Sequence, residues 1–281
     1  QTAQSGRSTR LKTAFPLSEI THHRHQEYRP AMICWSTIET VCPMCGCQLH
    51  VREVGGCEVL GQDTDLLIHT KAPHVIRVEI HSCPDCRFSG YSRDFLGGRI
   101  EALTIEAYFR KYIEKLEDEF ETDCSAGDPP THLQYYWAGL LSPLLGYEPL
   151  ETGMRMLRAY WGLRLDAPAA LDENTVERLR HRYLRQAIAY LRKSLRKEKN
   201  PVYLYLVGEL CRRNGNWMHS QNYFNRFIAR STRPRHLRNA AAMLIQRARR
   251  RDSSHLSMDS LLYPTRDQSR ATRAPEEDRE A

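Results

Sequence analysis

Two Cys-Pro-x-Cys units constrain this chain more than anything else in it: VCPMCG at 41–46 and SCPDCR at 82–87, with 37 residues between Cys45 and Cys83. Zn2+ takes four ligands in a tetrahedron, with thiolate sulfurs at about 2.3 Å. A Cys-x-x-Cys turn suits that geometry, because its two middle residues fold the chain into a knuckle with both sulfurs facing one point. Pro43 and Pro84 pre-set φ for such a turn, and Gly46 can take the positive φ that often follows it. The second knuckle departs from the first: Arg87 stands where Gly46 stands, which predicts a strained or less regular turn.

The competing explanations are disulfides and redox chemistry. Nine cysteines are an odd number, in a chain far longer than a disulfide mini-scaffold. A lone Cys-x-x-Cys could be a redox motif. Two of them, each with Pro in the same place, point instead to a four-cysteine zinc ribbon in which Cys42, Cys45, Cys83 and Cys86 hold one structural Zn2+. Cys47 and Cys57 could substitute as ligands, though the paired knuckles do not need them. Cys34, Cys124 and Cys211 read as ordinary semi-buried thiols.

At 281 residues the chain suits one compound domain or two small ones, and 41 % hydrophobic with 27 % charged residues is a globular composition. Its longest local apolar run, AAAMLI at 240–245, is far too short to span a membrane, and no signal-peptide core is visible. Position 1 is Gln, so a preceding stretch is expected to have been removed. Cysteine pairs that must stay reduced place the protein in the cytoplasm. The net charge of +7 is divided: residues 176–251 hold 20 Lys plus Arg against 3 Asp plus Glu, while residues 1–175 and the tail from 252 are both net acidic.

Along the chain, residues 1–30 are polar and aperiodic and read as a disordered arm, its HHRH run at 22–25 as a solvated basic patch. From 31 to 98 short strands and turns suit a zinc-ribbon-like domain. Leu49, Val51 and Val54 alternate as a strand leaving the first knuckle. Val75, Ile76, Val78 and Ile80 read as another leading into the second, with Gly55-Gly56 and Ala72-Pro73 as breakers. From 99 to 251 the period becomes helical. One helix is expected over 100–121, with Ile105, Tyr108, Phe109, Tyr112, Ile113, Leu116 and Phe120 on one face. Six more are expected over 131–146, 150–165, 173–198, 201–213, 217–230 and 235–251. Residues 252–281 read as a disordered tail with a docking peptide at MDSLLYP.

The helices repeat. Leu204, Val207, Gly208, Cys211, Ser220 and Phe224 follow the spacing of a tetratricopeptide repeat, in which small residues let two antiparallel helices approach. Ala187 and Leu191 occupy the places of Ser220 and Phe224 thirty-three residues earlier, and a looser copy begins near Ala138-Gly139. The expected fold is therefore α+β, mainly α: an N-terminal four-cysteine zinc ribbon followed by tetratricopeptide-like antiparallel helical pairs.

With both halves located, the chain resembles a bacterial group, domain-of-unknown-function family 2225. The matching stretches are VCPMCG at 41–46, GQDTDLL at 61–67, EIHSCPDCRFSGYSRDF at 79–95, LRAYWGLRL at 157–165 and YLYLVGELCRRNGNW at 203–217. The resemblance spans roughly residues 35–232 and implies a zinc-ribbon-like segment followed by tetratricopeptide-like helices, with no established reaction. Arg87 and Ser220 depart from the family's usual small residue and Ala.

Asp63 and Asp65 in GQDTDLL form a secondary candidate site. Two carboxylates at i and i+2 in a loop could bind a divalent cation or an Arg-rich partner, or could cap turns and pair with nearby Arg77 or Arg93; the second reading is favoured because no third ligand stands at a suitable spacing. No catalytic constellation assembles: a closed four-cysteine site has no open position for water, and nucleophile-elbow, zincin and Walker motifs are missing. His69, His74 and His81 near the ribbon read as surface or strand positions. Two functions remain. The first is a non-catalytic adaptor whose helices bind an acidic protein partner through Arg192, Lys193, Arg196, Tyr205, Arg212, Arg213 and Arg226. The second is a zinc-ribbon nucleic-acid-binding protein using the basic helices of 176–251. Its phosphate contacts would be Arg247, Arg249, Arg250 and Arg251, and Tyr203, Tyr205, Trp217 and Tyr223 would stack on bases.

Overall fold

A computed structural model describes residues 34–71, 74–98, 100, 101, 104, 107, 128–167, 169, 171–231 and 234–262 of the chain. The expected arm at 1–30, most of the helix expected over 100–121, Cys124 and residues 263–281 lie outside the described residues.

The N-terminal part consists of three antiparallel two-stranded ribbons: β1 (Cys34–Val41) with β2 (Gln48–Gly56), β3 (Val59–Gln62) with β4 (Ile68–Thr70), and β5 (Ile80–Ser82) with β6 (Ser89–Tyr91). Each Cys-x-x-Cys knuckle is the turn of one ribbon: Cys42–Cys47 joins β1 to β2, and Cys83–Phe88 joins β5 to β6. Period-2 alternation turns Leu49 and Val51 of β2 inward, while most of β1 stays exposed. Behind the second knuckle Phe88 packs edge-on against Phe95 with ring centroids 4.9 Å apart.

One expected strand is a helix. Val75–Val78 forms the single turn α1, because His74 caps it by accepting the Ile76 N–H and Thr70 Oγ1 accepts the Val75 N–H. β-branched residues favour strands only where strand neighbours are at hand. Here local capping and the burial of Ile76 and Val78 decide the backbone, and only Ile80–Ser82 is extended. Gly55 and Gly56, read as breakers, are the last two residues of β2.

After α2 (Ser92–Leu96) the described chain becomes helical: α3 (Thr131–Leu141), α4 (Pro149–Leu165), α5 (Glu173–Ser194), α6 (Val202–Arg213), α7 (Trp217–Arg230) and α8 (Arg235–Arg249). The sequence signals sit where they act. Asp172 caps α5 by accepting the Thr175 N–H at 2.9 Å, and Pro149 opens α4. Gly215, at φ +75°, makes the tight turn between α6 and α7. The close approach expected at Gly208 is present: a Cβ there would lie 3.0 Å from the Phe224 ring. The architecture is thus α+β and mainly α.

The tail is the larger correction. Residues 252–262, expected to be disordered, run back over the molecule and end in α9 (Met258–Leu262), with Met258 and Leu261 buried. Arg212 donates to the carbonyls of Asp252 and Ser254 at 2.6 and 2.8 Å, and the Thr64 N–H donates to the Leu256 carbonyl at 3.0 Å. Those bonds satisfy a buried guanidinium and an otherwise orphaned loop amide, which is why the segment is held. The MDSLL part of the expected docking peptide is therefore engaged with its own chain.

Candidate metal centre

The two knuckles have the same hydrogen bonds. Cys42 N–H donates to the Cys47 carbonyl and Gly46 N–H to the Cys42 carbonyl, at 2.8 and 2.9 Å. Cys83 N–H donates to the Phe88 carbonyl and Arg87 N–H to the Cys83 carbonyl, at 2.8 and 3.0 Å. Gly46 has φ +82° and Arg87 φ +61°. The second turn is as regular as the first and carries its strain in one residue, since a left-handed conformation costs a non-glycine about 1–2 kcal/mol.

The turns bring Cys42, Cys45, Cys83 and Cys86 together, with their sulfurs within 4.8 Å of one another. Cys42 Sγ lies 3.5 Å from Cys86 Sγ, and Cys45 Sγ lies 3.5 Å from Cys83 Sγ. Those separations are far from a disulfide bond. Sulfurs placed about 2.3 Å from one tetrahedral centre would stand about 3.8 Å apart, so the four thiols fit a single metal ion. The electrostatics agree. Hydrogen bonding from the Cys86 thiol pulls Cys42 down to about 5, whereas burial pushes Cys83 up to about 12 and the bond to Cys42 pushes Cys86 up as well. One thiolate can form readily, and several together need a cation among them. Cys47 and Cys57 lie outside the cluster, Cys34 is exposed and Cys211 is buried.

Asp63 and Asp65 are occupied by the protein itself. The loop closes on itself through Asp63 N–H to the Leu67 carbonyl, at 2.8 Å, and Leu67 N–H to Asp65 Oδ1, at 3.3 Å. Arg164 of α4 then donates to both carboxylates, at 2.7 Å to Asp63 and 2.6 Å to Asp65. His69 and His255 each lie 2.9 Å from Asp63. Burial opposes the charge on Asp63, but the His255 and His69 bonds and the Arg164 charge outweigh it and hold its carboxyl below the usual range. The loop both caps a turn and pairs with an arginine, though with Arg164 rather than Arg77 or Arg93. Arg77 pairs with Asp166 and Arg93 with Glu151.

Between the two acids, Thr64 donates to Glu209 at 2.7 Å, and Glu209 forms a fully buried pair with Arg212, also at 2.7 Å. Arg213 donates to the Tyr160 hydroxyl at 2.7 Å. GQDTDLL, LRAYWGLRL and YLYLVGELCRRNGNW thus meet at one buried polar junction. Residues that sequence reasoning missed (Arg164, Glu209, Asp94) all lie inside the stretches that carried the family resemblance.

The seven residues expected to face a partner divide. Tyr205 and Arg212 are fully buried and Arg213 nearly so, which removes them from any surface; Tyr205 packs edge-on against Phe224 and Phe227. Arg192, Lys193, Arg196 and Arg226 are exposed, and none forms an ion pair with an acid among the described residues. Of the four arginines in the nucleic-acid alternative, Arg249, Arg250 and Arg251 are exposed, but Arg247 is paired with Asp252 at 2.6 Å. Tyr205 and Tyr223 are buried, so neither can stack on a base.

Fold and site define the class: a mainly helical α+β protein whose N-terminal ribbons gather four cysteines into a centre able to hold one metal ion. The chain belongs to the DUF2225 family, uncharacterized proteins conserved in bacteria, whose sequence profile matches residues 36–252. No curated protein and no solved structure matches the chain. Among the described residues, no helix is long and apolar enough to cross a membrane.

Proposed function

We propose that this protein is a zinc-stabilised, non-catalytic adaptor of the cytoplasm, whose tetratricopeptide-like helices bind an acidic protein partner. Zn2+ is the ion that an all-thiolate tetrahedron suits, and four protein sulfurs leave it no position for a reacting water. Its role is to hold the knuckles in one geometry, in a ribbon region too poor in apolar residues to fold alone.

The observation that carries the partner assignment is the group formed by Arg192 and Lys193 in the last turn of α5 and Arg196 just beyond it. All three are exposed and none forms an ion pair among the described residues, whereas Arg155, Arg164, Arg212 and Arg247 are each paired with an acid of the same chain. Unquenched surface charge is evidence about partners, and here it favours acidic ones. It favours protein over nucleic acid because two of the four aromatic side chains that stacking would use, Tyr205 and Tyr223, are inside the helical packing and the other two, Tyr203 and Trp217, are half-buried.

The test is affinity purification from native cells, divided into nuclease-treated and untreated halves, with charge-reversed triples at 192, 193, 196 and at 249, 250, 251. The adaptor reading expects the same bound proteins after nuclease and their loss with the first triple. If binding collapses on nuclease treatment and follows the second triple, with a steep salt dependence, the protein holds nucleic acid instead.

A further inference from the structure

Strand β1 leaves a pairing edge open. It pairs with β2 on one side, and among the described residues no strand lies along the other. The orientation of its backbone follows from one bond. Arg52 N–H points away from β1, donating to His81 at 3.0 Å, and Arg52 stands directly opposite Thr37. Backbone groups of an antiparallel pair alternate between facing the partner and facing away. Thr37, Glu39 and Val41 therefore turn their N–H and C=O groups outward, and Ile38 bonds inward to Val51.

From Trp35 onward that edge lacks most of the devices that keep edges apart, its one register shift lying between Cys34 and Trp35. Natural edge strands are blunted by Lys, Pro, bulges or shortness. The run Trp35–Val41 contains one charge, Glu39, and no proline or lysine. It is exposed along most of its length, with Trp35 at 42 % and Val41 at 53 %.

We propose that β1 is a homodimerisation edge, pairing antiparallel with β1 of a second copy to make a continuous four-stranded sheet. The strand's own sequence selects the register. A two-fold axis must set outward-facing residues against outward-facing ones, so it passes through a residue. An axis at Glu39 puts that carboxylate against its own copy, and an axis at Thr37 puts it against Trp35. An axis at Ile38 places Glu39 opposite Thr37, Trp35 opposite Val41, Ser36 opposite Thr40 and Ile38 on itself. Aromatic with β-branched, hydroxyl with hydroxyl and no like charges opposed is the arrangement that cross-strand pairs favour, and a two-fold contact of one patch with itself is the usual way a homodimer closes.

The test uses the full chain, loaded with zinc, in sedimentation equilibrium. The wild type is expected to dimerise. Thr37→Glu sets two carboxylate pairs against each other across the axis and should weaken the dimer by about 2- to 30-fold in Kd. Adding Glu39→Lys to Thr37→Glu should restore it, since each new carboxylate at 37 then faces an ammonium at 39. Independently, Ile38→Cys should give an intermolecular disulfide of residue 38 with itself on mild oxidation, mapped by mass spectrometry. This reading survives poor folding of either charge variant. A chain that stays monomeric at the highest soluble concentration overturns the proposal, as does a dimer indifferent to Thr37→Glu or a double variant as weak as the single one. An edge reserved for another protein's strand would show as such a monomer.

Discussion

The carboxylate of Asp94 lies 3.0 Å from the guanidinium of Arg155, with 1 % and 2 % of the two side chains exposed. Asp94 belongs to α2, just behind the second knuckle's ribbon, and Arg155 to α4, so the pair ties the metal-site region to the helices. Both charges are well compensated. Asp94 also accepts from Tyr91 N–H at 2.8 Å and Tyr147 hydroxyl at 2.6 Å, and Arg155 lies over the rings of Tyr147 and Tyr91, 4.5 and 5.1 Å from their centroids. Burial, then Asp94, pushes the Tyr147 hydroxyl up to about 12, so it remains a donor at any physiological pH.

Breaking one partner of such a pair is far more costly than replacing both. Asp94→Ala, which strands Arg155 in the interior, is expected to destabilise the protein by about 3–5 kcal/mol in urea unfolding. Asp94→Ala with Arg155→Met should cost clearly less. Equal losses in the single and double variants would mean that the energy lies in packing around the pair, not in its charges.

The C-terminal segment gives a prediction that separates neighbouring truncations. A chain ending at residue 262 keeps Met258, Leu261 and the Asp252 and Ser254 carbonyls that accept from Arg212, whereas one ending at 251 loses these and leaves Arg212 only Glu209. Burial of two such apolar side chains is worth about 3–6 kcal/mol in the upper limit. The shorter chain should therefore show a much lower Tm, and the longer one a Tm close to that of the full protein. Equal melting of the two chains would show that residues 252–262 contribute nothing to stability.

Much of this was legible in the chain, and the exceptions have physical causes. The cysteine cluster could be read because two-residue spacing fixes a local turn, and the helices of 131–249 because proline, glycine and capping residues mark their ends. Residues 75–78 misled because β-branched composition reflects average surroundings, while a capped turn at His74 is a specific one. The segment 252–262 misled because it is held by backbone carbonyls of Asp252, Ser254 and Leu256 and by side-chain contacts of Asp252 to Arg247 and His255 to Asp63, which composition does not display. Asp63 and Asp65 were visible as a pair, but their partner Arg164 lies about a hundred residues on, and no spacing rule reaches that far. Tyr205 and Arg212 illustrate the reverse error: a basic, aromatic helix can turn those groups inward when a glutamate such as Glu209 waits there.

The metal centre predicts a graded, local loss. Cys83→Ser removes one of four sulfurs and should abolish stoichiometric zinc measured by atomic emission. Hydrogen exchange should then accelerate over residues 34–71 and 74–98, with α4 to α8 still protected. Structural zinc is worth about 10–16 kcal/mol in isolated peptides, which exceeds what the short ribbons can supply by packing. Retention of one zinc per chain with an unchanged exchange pattern would sink the four-cysteine assignment.

His132 gives the molecule an acid-sensitive point well away from the cysteines in sequence. Its ring is buried on α3, with Nδ1 3.0 Å from the Tyr183 hydroxyl and Nε2 meeting no hydrogen-bond partner among the described residues. Burial lowers its pKa from 6.5 to about 4, because a second N–H there would carry charge into an apolar site. The sign follows directly. Between those two values the unfolded chain takes up a proton that the folded one refuses, so stability is complete above pH 6.5 and declines as pH falls toward 4. The slope from this one group approaches about 1.4 kcal/mol per pH unit. His132→Gln, which keeps a polar contact for Tyr183 and cannot titrate, should flatten the urea-unfolding free energy by that amount over the same window. Zinc release at low pH affects both proteins alike and cancels in the difference. Parallel curves for the two proteins would mean that His132 is protonated in the folded state, and that its site is far more polar than its burial implies.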